Sequence, residues 1–224
     1  DVYKRQVVEV TEDFEDYESF ATDIERWSFI DVDESPIGHF SDYSLPLNIQ
    51  GSQSFWIHDS SWSDFSGNPT FAAHSGMKCL ASMFRADNGT VDDWAISPVL
   101  SGEAQTISFY AKSYDGMYPE TIEVLYSTTG TDISDFSRLE TFYDLPMDWS
   151  LYEFDVPEGA TYFAIRSIAT GSLMLLIDDI SYISGEASNL TLIGYNVYRD
   201  GIRINPETIG TTEYTDCLLY TSPS

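Results

Sequence analysis

The sequence predicts an all-β protein, a jelly-roll β-sandwich followed by a C-terminal β-hairpin fragment of a second domain. Three observations carry this. Short segments rich in β-branched and aromatic residues recur along the 224 residues. Turn-forming residues punctuate them at close spacing. No long stretch repeats its apolar residues with the helical period of 3.6.

In chain order, Phe14 to Trp27 admits a turn or two of helix and no more. The predicted strands are Thr106–Ala111, Thr121–Tyr126, Ser150–Asp155 and Thr161–Arg166. Between them lie the breakers Asp115-Gly116, Thr129-Gly130-Thr131, Pro157-Glu158-Gly159 and Thr170-Gly171-Ser172. The run Leu173–Ile177 is apolar at every position, so it reads as a strand buried on both faces, continuing through Asp178-Asp179 to Ile183. Many short strands at this spacing imply a sandwich or jelly roll.

The small, polar segment Ser184–Asn189 marks a boundary. It gives a first domain over residues 8–184 and a fragment over 185–216. Within the fragment, Ile193–Tyr198 reads as a strand, Arg199-Asp200-Gly201 as a hairpin turn and Ile202–Ile204 as the return. The ends, residues 1–6 and 217–224, resemble translated sequencing-adapter sequence. On that reading Cys217 is spurious and Cys79 stands alone, so no internal disulfide framework is expected.

Acids outnumber bases 37 to 10, for a formal charge of -27. Such a field repels phosphate backbones and argues against nucleic-acid binding, and it attracts divalent cations. The chain is not a disordered acidic tail, because it carries 13 Phe, 15 Tyr and 5 Trp and is 42% hydrophobic. No run of about 18 apolar residues occurs, so no membrane-spanning helix is expected.

Several stretches together resemble the cleaved-adhesin (gingipain hemagglutinin-adhesin) family, which overlaps the modules called choice-of-anchor J. The likeness begins at Asp13-Phe14-Glu15 and continues through Trp27 and Asp31-Val32-Asp33. It takes in Ala73-His74-Ser75-Gly76, Asp92-Asp93-Trp94-Ala95-Ile96-Ser97-Pro98 and Tyr126–Thr131. It closes with Phe154–Ala160, Tyr162–Arg166 and Ile177-Asp178-Asp179-Ile180. The tail Tyr195–Gly201 is similar to the fibronectin-type-III-like repeat that follows such modules. The resemblance implies a galactose-binding/MAM-like jelly roll that binds structural calcium. It also implies a secreted or cell-surface location in a larger, multidomain protein of Bacteroidetes type, and a host or extracellular protein as partner. The expected function is therefore a non-catalytic adhesion module. The alternative is a carbohydrate-binding module of a secreted hydrolase, with a glycan as ligand.

The residues themselves give calcium a physical basis. Calcium takes six to eight oxygens, commonly several carboxylates on bent loops. Asp13 and Glu15, and likewise Asp31 and Asp33, are two apart and share a face in extended chain. Asp178 and Asp179 are adjacent acids on a largely buried strand, where charge is costly unless neutralised. The resemblance groups Asp13, Glu15 and one of Asp178 and Asp179 on one ion. It places Asp31 and Asp33, with groups near His39, on a second. There Ser35-Pro36-Ile37 replaces the family's usual longer acidic loop.

Two aromatic stretches, Phe55–Phe65 and Tyr114–Tyr118, are candidate contact surfaces. Trp56, Trp62 and Tyr118 are their candidate ligand-binding residues. Catalysis is not expected. His74 and Cys79 are five apart and point to opposite faces of a straight strand. Glu153-x-Asp155-x-x-Glu158 has the carboxylate spacing of laminarinase-like endoglucanases, but Pro157-Glu158-Gly159 reads as a turn that takes Glu158 off the strand.

Overall fold

The computed structural model describes residues 8–40 and 45–185, together with the short strands 198–199 and 202–203. The chain divides into two units, Asp1–Glu186 and Ala187–Ser224.

Eleven strands are described in the first unit. They are β1 (Val8–Glu12), β2 (Ser28–Asp31), β3 (Phe55–Asp59), β4 (Lys78–Met83), β5 (Asp93–Ile96), β6 (Gln105–Ser113), β7 (Ile122–Ser127), β8 (Ser137–Phe142), β9 (Ser150–Val156), β10 (Tyr162–Ser167) and β11 (Met174–Ser184). One sheet is ordered β3-β4-β11-β6-β9, with β1 added to the C-terminal half of β11. The other is ordered β2-β5-β10-β7-β8. Every pairing is antiparallel. The chain changes sheet between most consecutive strands, so an all-β two-sheet sandwich results, as the strand pattern predicts.

The four predicted middle strands and the final long one occur within one or two residues of their expected ends. Their alternation explains the packing. Ile57, Leu80, Ile107, Phe109, Leu175 and Ile177 of one sheet meet Ala95, Val124, Phe163 and Ile165 of the other in the central core. The intervening residues Trp56, Cys79, Ala81, Met83, Met174 and Leu176 point outward, yet they too are buried. Phe20, Ile49, Phe65 and Phe71, from the loops, cover them. That second layer is why the run 173–177 is apolar on both faces. A smaller cluster, Trp94, Ile96, Leu125 and Ala164, lies on the outer face of the second sheet, where Ile133 and Phe136 pack on it.

The segment 14–27 differs from expectation: it contains turns and bends but no helix. Phe14, Phe20 and Arg26 have φ of 60°, 62° and 79°. Left-handed backbone at bulky residues is incompatible with a right-handed helix. It costs conformational energy, and here it accompanies the burial of Phe14, Phe20, Ile24 and Trp27 in the two cores.

In the second unit, Tyr198–Arg199 and Ile202–Arg203 pair antiparallel, and Asp200 and Gly201, the expected turn, lie outside the described residues. The rest of the expected fragment over 185–216 lies outside the described residues, as do the ends 1–6 and 217–224.

Candidate functional site

The acids singled out in the sequence assemble into two groups of different construction.

The first centres on Asp31, Asp33 and Asp93. Strands β2 and β5 pair so that Asp31 lies directly opposite Asp93. Like charges in that position repel. Asp33 is brought back to the same place because its Oδ2 accepts the Asp92 amide at 2.7 Å. Two local turns shape the loop: Asp31 Oδ1 accepts the Glu34 amide at 2.7 Å, and Asp33 Oδ1 accepts the Ser35 amide at 3.0 Å. One oxygen from each of the three carboxylates lies within 4.8 Å of the others. Asp93 is buried, and the Ser82 hydroxyl donates to it at 2.8 Å. Burial pushes its carboxyl up to about 8, helped by Asp31, Asp33 and Asp92 and opposed by Ser82. Burial also raises Asp31. Among the basic side chains, Arg85 approaches to 3.7 Å of Asp33, but its closer bonds are to Asp87 at 2.9 and 2.7 Å. The neighbouring Asp92 faces the other way, where Arg166 grips both its oxygens at 2.7 and 2.6 Å. The donor set is all oxygen, crowded and under-neutralised, which suits a hard divalent cation.

Asp93 was not among the acids read as metal ligands. The available signal was the one that drew attention to Asp178-Asp179: a pair of acids where polar chain meets an apolar strand. His39 is exposed and is not in the cluster.

The second group surrounds the loop His74–Lys78. Asp178 is fully buried; its Oδ2 accepts the amides of His74 at 2.8 Å and Ser75 at 3.1 Å. Its Oδ1 accepts the Asp179 amide at 2.8 Å. Burial still pushes this carboxyl up to about 7. Asp179, at φ 49° beside a register shift in β11, turns to the His74 ring and the Ser75 hydroxyl. From the other side, Glu15 Oε1 accepts the amides of Met77 at 2.7 Å and Lys78 at 2.5 Å. Gly76 sits between them with φ 56°, its α-carbon against the Glu15 carboxylate. Asp13 bonds the Glu15 amide at 3.2 Å. Thus Glu15, Asp178 and Asp179 converge on one loop, but its amides and the His74 ring occupy the space between the carboxylates. Among the described residues, only Asp31, Asp33 and Asp93 form a three-ligand group within 4.8 Å.

The aromatic candidates separate clearly. Trp56 is 0% exposed and belongs to the core beneath the loops. It is corrected from contact residue to core residue, because strand alternation turns it onto the covered outer face of its sheet. Trp62 is 41% exposed and rests edge-on against Phe20 at 5.0 Å. Tyr118 is 46% exposed.

The discounted catalytic pairs stay apart in role. The His74 ring is stacked on Tyr110 with centroids 3.6 Å apart. Cys79 is buried, and burial holds its thiol well above the usual range. Asp155 accepts the Thr106 hydroxyl at 2.6 Å, and Glu158 lies in a turn closed by Gly159 at φ 89°.

The fold and these loops define a class: an antiparallel two-sheet sandwich carrying acid-rich loops. Residues 56–144 match the Cleaved Adhesin Domain family. The chain is 29% identical over 169 residues to Gingipain R1 of Porphyromonas gingivalis, and equally so to Hemagglutinin A of that organism. The similar region is 64% of this chain but 10% and 7% of those relatives, so the chain spans a small part of their length. The K2 cleaved adhesin domain of Lys-gingipain has the same fold, with a TM-score of 0.62 at 21% identity, covering 78% of this chain and 99% of that one. The K3 domain gives 0.55 at 23% identity, covering 80% and 100%. Over residues 56–144 the first unit is thus similar in sequence to cleaved-adhesin domains, and its two-sheet sandwich has the fold of the K2 domain. No helix among the described residues is long and apolar enough to cross a membrane.

Proposed function

We propose that this chain is a non-catalytic adhesion module of a larger secreted or cell-surface protein, stabilised by structural calcium. One observation carries the reading: the cleaved-adhesin match over residues 56–144 lies on a sandwich with the fold of the gingipain adhesin domains. The ligand is a host or extracellular protein or cell surface, as the name of the hemagglutinin relative suggests.

Asp31, Asp33 and Asp93 are the residues that would hold the ion. Their crowding supports this, since a cation would remove both the mutual repulsion and the burial penalty on Asp93. Asp13, Glu15, Asp178 and Asp179 remain the second candidate set. The ion's role is to tie the loop after β2 to the start of β5. It binds the folded form and so stabilises it.

A second reading, a carbohydrate-binding module, has one observation in its favour. A cavity of about 450 Å³ is lined by Ser60, Ser61, Ser66, Asn68 and Met77, without a charged side chain. Hydroxyls and an amide beside an apolar wall suit a neutral sugar.

The test is direct. The chain is coupled to beads and mixed with erythrocytes, and in parallel applied to a glycan array. Agglutination above that of bare beads, with no saturable glycan signal, is expected. A saturable neutral-glycan signal lost on Asn68→Ala moves the assignment to the second reading. The absence of both signals removes the adhesion proposal.

A further inference from the structure

Ten large hydrophobic side chains are exposed among the described residues. Four of them, Met117, Tyr118, Tyr143 and Met147, stand on two loops that touch. These are Tyr114–Thr121, between β6 and β7, and Tyr143–Trp149, between β8 and β9. Met117 is 82% exposed and Tyr143 71%.

The loops are locked together from below. The Ser113 amide donates to the Pro146 carbonyl at 2.8 Å, and its hydroxyl donates to the Leu145 carbonyl at 2.7 Å. The Leu145 amide donates to the Glu120 carbonyl at 3.0 Å, and the Glu120 amide donates back to the Ser113 hydroxyl at 2.8 Å. Leu145 and Glu120 are both buried beneath the surface. Asp115 fixes the first loop's tip by accepting the Met117 amide at 2.7 Å. The Met147 thioether lies against Gly116, where a Cβ would come within 3.2 Å of it. Exposed Met and Tyr on a held backbone make a surface that loses little freedom on binding, and those residue types are enriched in protein interfaces.

Charge selects the occupant. The two loops contain Asp115, Asp144 and Asp148 at the surface, Glu120 buried beneath it, and no base. Two bases flank them: Lys112 is buried, its ammonium on the Thr70 carbonyl at 2.7 Å and over the Trp149 ring, and Arg138, which senses Tyr143, is paired with Glu123 at 2.7 Å. A second copy of this chain would bring the same negative rim and a formal charge of -27. Anionic lipid and nucleic acid are repelled for the same reason. A basic segment meets the rim with its cations, and Tyr118 and Tyr143 offer ring faces to those cations.

We propose that the paired loops are a docking surface for a basic polypeptide segment bearing apolar anchors. The proposal rests on the adhesion reading and names the partner's chemistry. Calorimetry on the full chain at physiological salt tests it, with three twelve-residue peptides as probes: Lys/Leu, Lys/Ser and Glu/Leu. The Lys/Leu peptide is expected to bind at one saturable site and the other two at least tenfold more weakly. M117S/Y143S keeps the charge and should weaken Lys/Leu binding tenfold or more. L47S, at an exposed leucine in another loop, should leave it unchanged. Asp144→Asn with Asp148→Asn should flatten the salt dependence. If M117S/Y143S and L47S bind alike, the peptide is reading net charge and the proposal is overturned. A thermal melt accompanies each variant; if M117S/Y143S melts several degrees low, Tyr143→Ser alone makes the decision. Bead agglutination by M117S/Y143S separates the two ideas. Full agglutination removes this surface and leaves the adhesion reading standing. Wild-type beads that ignore cells while the peptides are still discriminated remove the cell reading and leave the surface.

Discussion

The two acidic groups solve the problem of buried carboxylate in different ways. Around the His74–Lys78 loop, backbone amides are wedged between Glu15, Asp178 and Asp179, so each charge meets donors before it meets another charge. At the junction of β2 and β5, the carboxylates of Asp31, Asp33 and Asp93 face one another, and the donors are at the periphery. An amide-filled cluster is complete as it stands. A cluster whose members repel one another is what the proposed cation would neutralise. Both groups are built of carboxylates; the difference is whether backbone amides or other carboxylates face the oxygens.

The largest expected effect lies in the amide-filled group. Asp178→Ala leaves the amides of His74, Ser75 and Asp179 without their acceptor, at a cost of roughly 4 kcal/mol if each unmet donor costs about 1–2. Urea denaturation measures it; a loss below about 0.5 kcal/mol would mean water replaces the carboxylate and that the cluster is not sealed.

Next comes the metal response. Calcium at about a hundredfold over its dissociation constant should stabilise the wild type by roughly 3 kcal/mol, read as a rise in melting temperature. Asp93→Asn should lose most of that rise, and Glu15→Gln should keep it. The opposite pattern would transfer the ion to the amide-filled group and invert the comparison. No rise in either protein removes calcium altogether.

Gly76→Ala probes how tightly the loop is wedged. It places a Cβ against the Glu15 carboxylate at a φ of 56°. A loss of roughly 2 kcal/mol is expected. A variant as stable as wild type shows that Glu15 can swing away and that its amide bonds matter little.

Glu120 supplies a third, solitary case. It is buried, accepts the Leu173 amide at 3.0 Å and is pushed up to about 8 by burial, with the Leu173 bond opposing. The folded form therefore holds its proton more tightly than the unfolded form. Stability from this group is full in acid and lost as pH rises toward 8. Without metal, Glu120→Gln should match wild type near pH 5. Between pH 5 and 8 it should lose less stability than wild type, by roughly 1 kcal/mol per pH unit. Parallel stability profiles for the two proteins would show that Glu120 ionises freely and is not sealed.

Much of the fold was legible because its signals are local. Period-2 alternation placed β6, β7, β9 and β10, and the unbroken apolar run placed β11 and its double-sided burial. Segment 14–27 admits a helical turn by sequence, while its backbone is bent by three left-handed residues, of which Phe14 and Phe20 face the cores and Arg26 faces solvent. The site was legible only in part. Asp31 and Asp33 were readable as a pair, but Asp93 joins them through strand register. Trp56 and Trp62 look equivalent in a list of aromatics. One is sealed under loops and the other is open, because the covering residues come from elsewhere in the chain.

By itself, then, the sequence determined where β6, β7, β9, β10 and β11 lie, that both faces of β11 are covered, and that the molecule is strongly acidic. It also marked the acids and aromatic loops worth watching. The tertiary structure decided which acids meet, which are separated by amides, and which aromatic loop gains a partner in the Tyr143–Trp149 loop. The reason is physical. Alternation and turn chemistry act over a few neighbouring residues, whereas register and loop contact join residues far apart in the chain, and charge repulsion and burial depend on those joined distances alone.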